Sequence, residues 1–181
     1  VARYGDYSDP SEGERISMLT GIKAILQNGS IVFDDGKDIS AAVAKAQNAE
    51  VSILGLGEWQ GLSGEGFDRS NLDLPGNQET FLEAVAATGK PVVLVLQNGR
   101  PLTIDWAAKH IPAILEAWYP AEFGGRAIAE TIFGDNNPAG RLTITFPQTV
   151  GQLPDYYNYD PSKKIDYVDC NGKPLFPFGF G

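Results

Sequence analysis

The sequence predicts an α/β fold: a mostly parallel sheet, with one antiparallel strand expected in it, between two layers of helices. Two observations carry this. Short apolar runs of strand length, at 51–56, 91–96 and 112–118, alternate with stretches that repeat their apolar residues at helical spacing. The runs at 51–56 and 91–96 are apolar on nearly both faces, as suits a parallel strand covered by helices on each side.

Taken in order, residues 1–10 are polar and turn-rich and read as a surface loop. Ser11 with Glu14 three residues on is a capping box, and Ile16, Leu19, Ile22 and Leu26 follow at helical spacing. Asn28-Gly29 ends that helix in a turn; Asn28-Gly29-Ser30 is also a glycosylation sequon, for which the turn is the preferred reading. Residues 30–34 read as a short strand, 38–47 as a helix with Ile39, Val43 and Ala46 on one face, and 51–56 as the second strand. A helix over 75–88 buries Phe81, Leu82 and Val85. The strand at 91–96 is the most hydrophobic, and its exit is Gln97-Asn98-Gly99-Arg100-Pro101. A short helix over 104–109, a strand over 112–118 and a helix over 122–133 follow, with Gly124-Gly125 expected to pack closely against the sheet. Residues 142–146 alternate as a strand. From 147 to 181 no period survives, and the segment reads as an irregular extension of a single domain over 1–181.

Composition narrows the chemistry. A net charge of −9 argues against nucleic acid and anionic membranes as partners. One cysteine, Cys170, allows no internal disulfide and no cysteine-based metal site. The single histidine, His110, sits at a helix end where a cation suits the dipole, and it argues against His-based triads and His-rich metal sites. No segment approaches the roughly 20 apolar residues of a membrane helix. Val1 is not a start methionine, and the chain reads as part of a longer one, with no targeting segment of its own to place it in a compartment.

The loop over 57–69 concentrates what chemistry there is. It carries Glu58, Glu65, Asp68, Arg69, Trp59 and four glycines in 13 residues, and it leaves the carboxyl end of a strand, where open α/β sheets face their ligands. Glu65 lies between Gly64 and Gly66, so its backbone is pliable. Asp68 and Arg69 are close enough in sequence to orient it, and a partly apolar setting with Phe67 or Trp59 would suit a general acid. By itself, a glutamate in a glycine-rich loop is more often a solvated charge. Glu58 reads first as a structural carboxylate, tying the loop down through backbone N–H groups or Arg69. Trp59 is equally suited to stacking on a sugar face and to pinning the loop; Trp106 and Trp118 read as core. Gly55, Gly57 and Gly61 are spaced one residue too long for a dinucleotide fingerprint, and Glu58 would repel a pyrophosphate. Ser63 has no plausible His partner for a serine hydrolase.

These residues resemble a known family. Gly57-Glu58, Gln60-Gly61, Glu65 and Arg69, followed by Leu72, Leu74-Pro75-Gly76 and Gln78, are similar to the second domain of glycoside hydrolase family 3, the β-glucosidase and β-xylosidase family. The resemblance continues through the stretch from Thr88 to Pro101, Ala117-Trp118-Tyr119-Pro120, Gly124-Gly125, the stretch from Phe133 to Leu142, Thr145-Phe146-Pro147, Leu153-Pro154 with Tyr156-Tyr157-Asn158, and the stretch from Phe176 to Gly181. It implies a flavodoxin-like α/β/α sandwich whose partner is an N-terminal TIM-like barrel of the same protein. That barrel, which this chain lacks, carries an aspartate nucleophile and most of the sugar site. The resemblance also implies that Glu65 is the acid/base of retaining hydrolysis of terminal β-linked sugars, on β-linked oligosaccharides or aryl and alkyl glycosides. Glu58 and Arg69 match positions that support and orient the loop, and the mechanism so implied needs no metal and no organic cofactor; from their place in the loop, Asp68 would support it and Trp59 would be a possible substrate contact. A periplasmic or secreted location is in keeping with the family. The alternative is a non-catalytic sandwich that binds carbohydrate or a partner; a nucleotide-binding flavodoxin-like domain is a distant third.

Overall fold

The computed structural model describes residues 15–27, 29–158, 160 and 166–181. Three parallel strands form its sheet in the order β1-β2-β3: Ser52–Gly57 (β1), Val92–Gln97 (β2) and Ala113–Glu116 (β3). Ser52 aligns with Val92 through to Gly57 with Gln97, and Val93 aligns with Ala113 through to Leu96 with Glu116. Five α-helices accompany them: Met18–Ile25 (α1), Ile39–Gln47 (α2), Gln78–Ala86 (α3), Asp105–His110 (α4) and Gly124–Phe133 (α5).

The helices divide between the two faces of the sheet. Val92, Leu94 and Leu96 of β2 are buried with Ala42 and Ala46 of α2, Phe81, Leu82 and Val85 of α3, and Ala107 of α4. Side chains alternate along a strand, so Val93 and Val95 face the other way. Gly55 pairs with Val95, and a Cβ on Gly55 would strike Met18 of α1, which places α1 on that second face. α5 lies against α1, with Ile128 and Ala129 buried. A helix layer therefore covers each face, and the expected α/β sandwich is what forms.

Several boundaries move for local reasons. The capping box at Ser11 and Glu14 lies outside the described residues, as does Asn28 of the sequon. α1 begins at Met18, where the Ser17 side chain accepts from the Thr20 backbone N–H at 3.1 Å. α3 starts at Gln78 rather than Pro75, because Gly76 takes a left-handed φ of 65° that no helix continues through. The strand expected at 112–118 stops at Glu116, since Trp118 turns left-handed with φ 51°.

Three expectations are corrected. Residues 30–34 form no strand: among the described residues no backbone pairs along them, and Val32 and Phe33 are exposed. Residues 142–146 form no strand of the sheet, whose described strands all pair in parallel, so the one antiparallel strand expected in it is not found among the described residues. Residues 142–146 meet the C-terminal tail instead, through a single antiparallel bridge between Phe146 and Phe176, with Leu142 N–H donating to Phe180 O at 2.8 Å. Aromatic packing holds that junction, Phe146 against Phe176 at 6.3 Å and Phe176 on Phe180 at 4.7 Å. Gly124-Gly125 packs on α1 and on Pro120 rather than on the sheet. A Cβ on Gly125 would run into the Ser17 carbonyl, one on Gly21 into the Gly125 carbonyl, and one on Gly124 into the Pro120 ring.

That contact of backbone on backbone predicts a cost for any side chain at 125. Gly125→Val should destabilise the chain by about 1–3 kcal/mol, because the obstacle is a main-chain carbonyl that cannot swing aside. Gly140→Ala, at a position with open space around it, is the control. Urea unfolding of the two variants checks this; equal midpoints would mean that α1 is not seated on α5 as described.

Candidate functional site

The site is built where β1 and β2 end side by side. Gly57 closes β1 with φ 126°, and its missing Cβ makes room for the Gln97 carbonyl of β2. The side-chain amide of Gln78, at the start of α3, grips this residue from both sides. Its Oε1 accepts from Gly57 N–H at 2.6 Å and its Nε2 donates to Gly57 O at 2.8 Å. Glu58 N–H then donates to Gln97 O at 2.9 Å, which adds one more rung to the ladder.

Glu58 is fully buried, which a carboxylate tolerates only when its charge and lone pairs are met. Three groups meet them. Arg69 Nη1 donates to Oε1 at 2.8 Å, Arg100 Nε stands 3.1 Å from the same oxygen, and Gly99 N–H donates to Oε2 at 3.3 Å. Arg100 Nε is close enough for an ion pair but not aligned for a hydrogen bond. Gly99 has no room for a side chain, since a Cβ there would collide with Ser63 Oγ. The loop at 57–69 therefore lies directly on the exit of β2.

From Glu58 the loop runs outward. Trp59 lies over Gly61, with more than half of its surface (57%) still exposed, and a single 3-10 turn, Gln60–Leu62, leads on. Gly64 to Phe67 forms a tight turn, with Phe67 N–H donating to Gly64 O at 3.1 Å and Gly66 left-handed at φ 77°. Glu65 sits in that turn, exposed, with Phe67 and Asp68 also exposed beside it. Arg69 closes the loop: beyond Glu58 it donates through Nη2 to Asn71 Oδ1 at 3.0 Å and to Asp73 O at 2.9 Å. So the structure brings Glu58 and Arg69 together at the base of the loop, and places Glu65, Asp68 and Trp59 at its outer surface.

Residues outside the loop hold it as much as its own do, and the sequence reading passed over them. Arg100 Nη2 donates to Leu62 O at 2.7 Å and Phe67 O at 3.0 Å. Behind it, Asn98 is fully buried and its Nδ2 donates to Arg100 O at 2.9 Å and to Glu116 Oε2 at 3.2 Å. Glu116 Oε1 accepts from Trp118 N–H at 3.0 Å. The available signal was the polar cluster Asn98-Gly99-Arg100 directly after the most apolar strand, where a site is expected in this class of sheet.

Glu116 is half-buried, and burial pushes its carboxyl up to about 7, against the two hydrogen bonds that lower it. Asn98 Oδ1, on the amide that Glu116 touches, has no donor among the described residues. Burial thus favours the neutral acid, while the donors Asn98 Nδ2 and Trp118 N–H favour the carboxylate. Elsewhere His110 lies exposed at the end of α4, stacked on Trp106 at 4.4 Å, away from the loop. Among the described residues no three His, Cys, Asp or Glu come together as metal ligands.

Residues 2–181 match the family model of the glycosyl hydrolase family 3 C-terminal domain. A β-xylosidase of Formosa agariphila is 43% identical over 179 residues, which cover 92% of this chain and 25% of that protein. A periplasmic β-glucosidase of Salmonella typhimurium is 44% identical over 155 residues, 79% of this chain and 20% of that protein. The structure of a β-glucosidase from Erythrobacter marinus superposes with a TM-score of 0.87 at 34% identity, over 99% of this chain and 29% of that one. The chain thus spans about a fifth to a quarter of the length of these curated relatives.

Two measurements test the site's electrostatics. Glu58→Gln removes the charge that balances Arg69 and Arg100, and should cost about 3 kcal/mol or more in chemical unfolding; a loss under about 0.5 kcal/mol would mean the carboxylate is not the anchor. Glu116 has a folded pKa above its unfolded value, so its contribution is full below about pH 4.5 and is lost as pH rises through about 7. Up to roughly 3 kcal/mol is at stake. Glu116→Gln, neutral throughout, should flatten that fall between pH 5 and 8 in thermal melts; an unchanged slope would assign it to another group.

Proposed function

Because this chain belongs to the C-terminal domains of glycosyl hydrolase family 3, we propose that it is the second domain of a retaining β-glycosidase and that Glu65 is the general acid/base. The observation that carries this reading is the form of the loop. It is pinned at its base by a buried carboxylate between two arginines, and it presents one glutamate in an exposed turn. A carboxyl group so presented is poorly placed to act on anything within its own sheet and well placed to act on a substrate held by a neighbouring domain.

In this reading the partner is an N-terminal barrel of the same polypeptide, which supplies the nucleophile and most of the sugar-binding surface. Glu65 donates its proton to the glycosidic oxygen as the nucleophile attacks the anomeric carbon from the opposite face, and the C–O bond to the leaving group breaks. Glu65, now a carboxylate, takes a proton from water as that water releases the sugar. The two carboxyl groups of a retaining pair stand about 5–5.5 Å apart. Docking of the barrel would cover Glu65 with Trp59 and Phe67, and the lost water would favour the protonated form that a general acid requires. The substrates are terminal β-linked sugars, on oligosaccharides or on aryl and alkyl aglycones. Relatives named as β-xylosidases and β-glucosidases support that class without choosing between the two sugars.

The test uses the full-length protein. Glu65→Ala should lose about 10²–10⁴-fold in rate on substrates with poor leaving groups, which need the acid, and far less on those with good ones. Added azide should restore part of the second step by attacking the intermediate without a general base. An equal loss on both substrates, with no effect of azide, would remove Glu65 from the role.

A further inference from the structure

We infer that Arg100 is a positioning residue for the reaction: it holds the turn that carries Glu65 in the geometry from which proton transfer occurs. The inference rests on the reading of Glu65 as acid/base and goes beyond it by naming what fixes that group. Its basis is where the guanidinium bonds fall. Arg100 Nη2 donates to Leu62 O and to Phe67 O, which bracket residues 63–66 from the two sides. One nitrogen thus ties together both ends of the segment that contains Glu65. On its other edge, Nε stands 3.1 Å from Glu58 Oε1, the anchor at the base of the loop. The same planar group therefore joins the turn to the base.

Within the turn, Phe67 N–H donates to Gly64 O, and Gly64 and Gly66 flank the glutamate. Glycine backbones have wide conformational freedom, so a turn built on them needs an external brace. Arg100 is itself braced. It is mostly buried, its carbonyl accepts from Asn98 Nδ2, and Asn98 is fully buried against Glu116. The line from β3 through Asn98 to Arg100 thus connects the sheet to the turn. A displacement of about 1 Å at a reacting group costs on the order of 100-fold in rate, so the brace is catalytically relevant even though Arg100 touches no reacting atom.

Arg100→Lys in the full-length enzyme is the decisive variant. Lysine keeps a cation beside Glu58 and so preserves the fold, but a single ammonium cannot reach Glu58, Leu62 O and Phe67 O together. The expected result is a thermal midpoint within a few degrees of the parent. Its kcat/KM should fall about 10–100-fold on a glycoside with a poor leaving group and less than about threefold on one with a good leaving group. In a Glu65→Ala background the same substitution should change activity less than about twofold, because the group it positions is gone. Equal loss on both substrates, or losses that multiply in the double variant, would overturn the assignment and leave Arg100 a structural residue. If Glu65→Ala alone shows neither leaving-group dependence nor azide rescue, the acid/base reading fails and the inference falls with it, a result that the Glu65 arm alone identifies. If Arg100→Lys does not fold, Arg100→Gln in the same two backgrounds gives the same comparison.

Discussion

One buried charge organises the functional end of this domain. Glu58 is enclosed without any exposed surface, and a lone carboxylate in that position would be prohibitively costly. The cost is offset only by bringing two arginines and a backbone N–H to it, and these come from two parts of the chain. Arg69 comes from the far end of the 57–69 loop, and Gly99 and Arg100 come from the exit of β2. Satisfying one carboxylate therefore closes the loop on itself and seats it on the neighbouring strand. Removing the carboxylate leaves two arginines without their counter-charge, and removing a donor leaves part of the carboxylate unmet, which is why such a cluster specifies a geometry more than it adds net stability.

The rest of the fold serves that placement. β1 and β2 must end in register for Glu58 and Gly99 to meet, and the pairing of Gly57 with Gln97 provides it. Gln78, delivered by the first turn of α3, fixes the last residue of β1 before the loop departs. α3 in turn is held by the large apolar cluster it shares with α2, α4 and β2. The close approach of α1 to α5 on the other face leaves the strand ends as they are, because glycines at the contact let the helices meet without displacing the sheet. The result is a packed platform with one exposed turn at its edge, a common way to present a functional loop.

The elements that the sequence made legible are those specified by local pattern. The strands at β1, β2 and β3 and the helices α2 to α5 follow from apolar runs and helical spacing, with shifts of a few residues where Gly76 and Trp118 turn left-handed. What was not legible depends on partners distant in sequence. Residues 30–34 have strand composition but no strand partner among the described residues, and 142–146 find theirs in the C-terminal tail rather than in the sheet. The site divides the same way. Glu58, Glu65 and Arg69 were visible because they share one glycine-rich loop. Arg100 and Asn98, more than 30 residues on, were quoted as a strand exit and nothing more, since no spacing rule brings residue 100 to residues 62 and 67. Only the parallel pairing of two strands does so.

That arrangement also separates what this domain can vary from what it cannot. Glu58, Arg69, Gly99 and Arg100 are locked to one another, so a change at any of them is felt by all. Trp59, Phe67 and Asp68 lie on the outer surface, and a change there need not disturb the base of the loop. The inner set can therefore be kept to hold the turn while the outer set changes. Glu65 sits between the two sets. The turn around it is held from the inside through Leu62 O and Phe67 O, while the residue itself is exposed. If Glu65 is the proton donor proposed above, it takes its alignment from its own domain and its dielectric surroundings from the neighbouring one, so its acidity is complete only when the two domains are together.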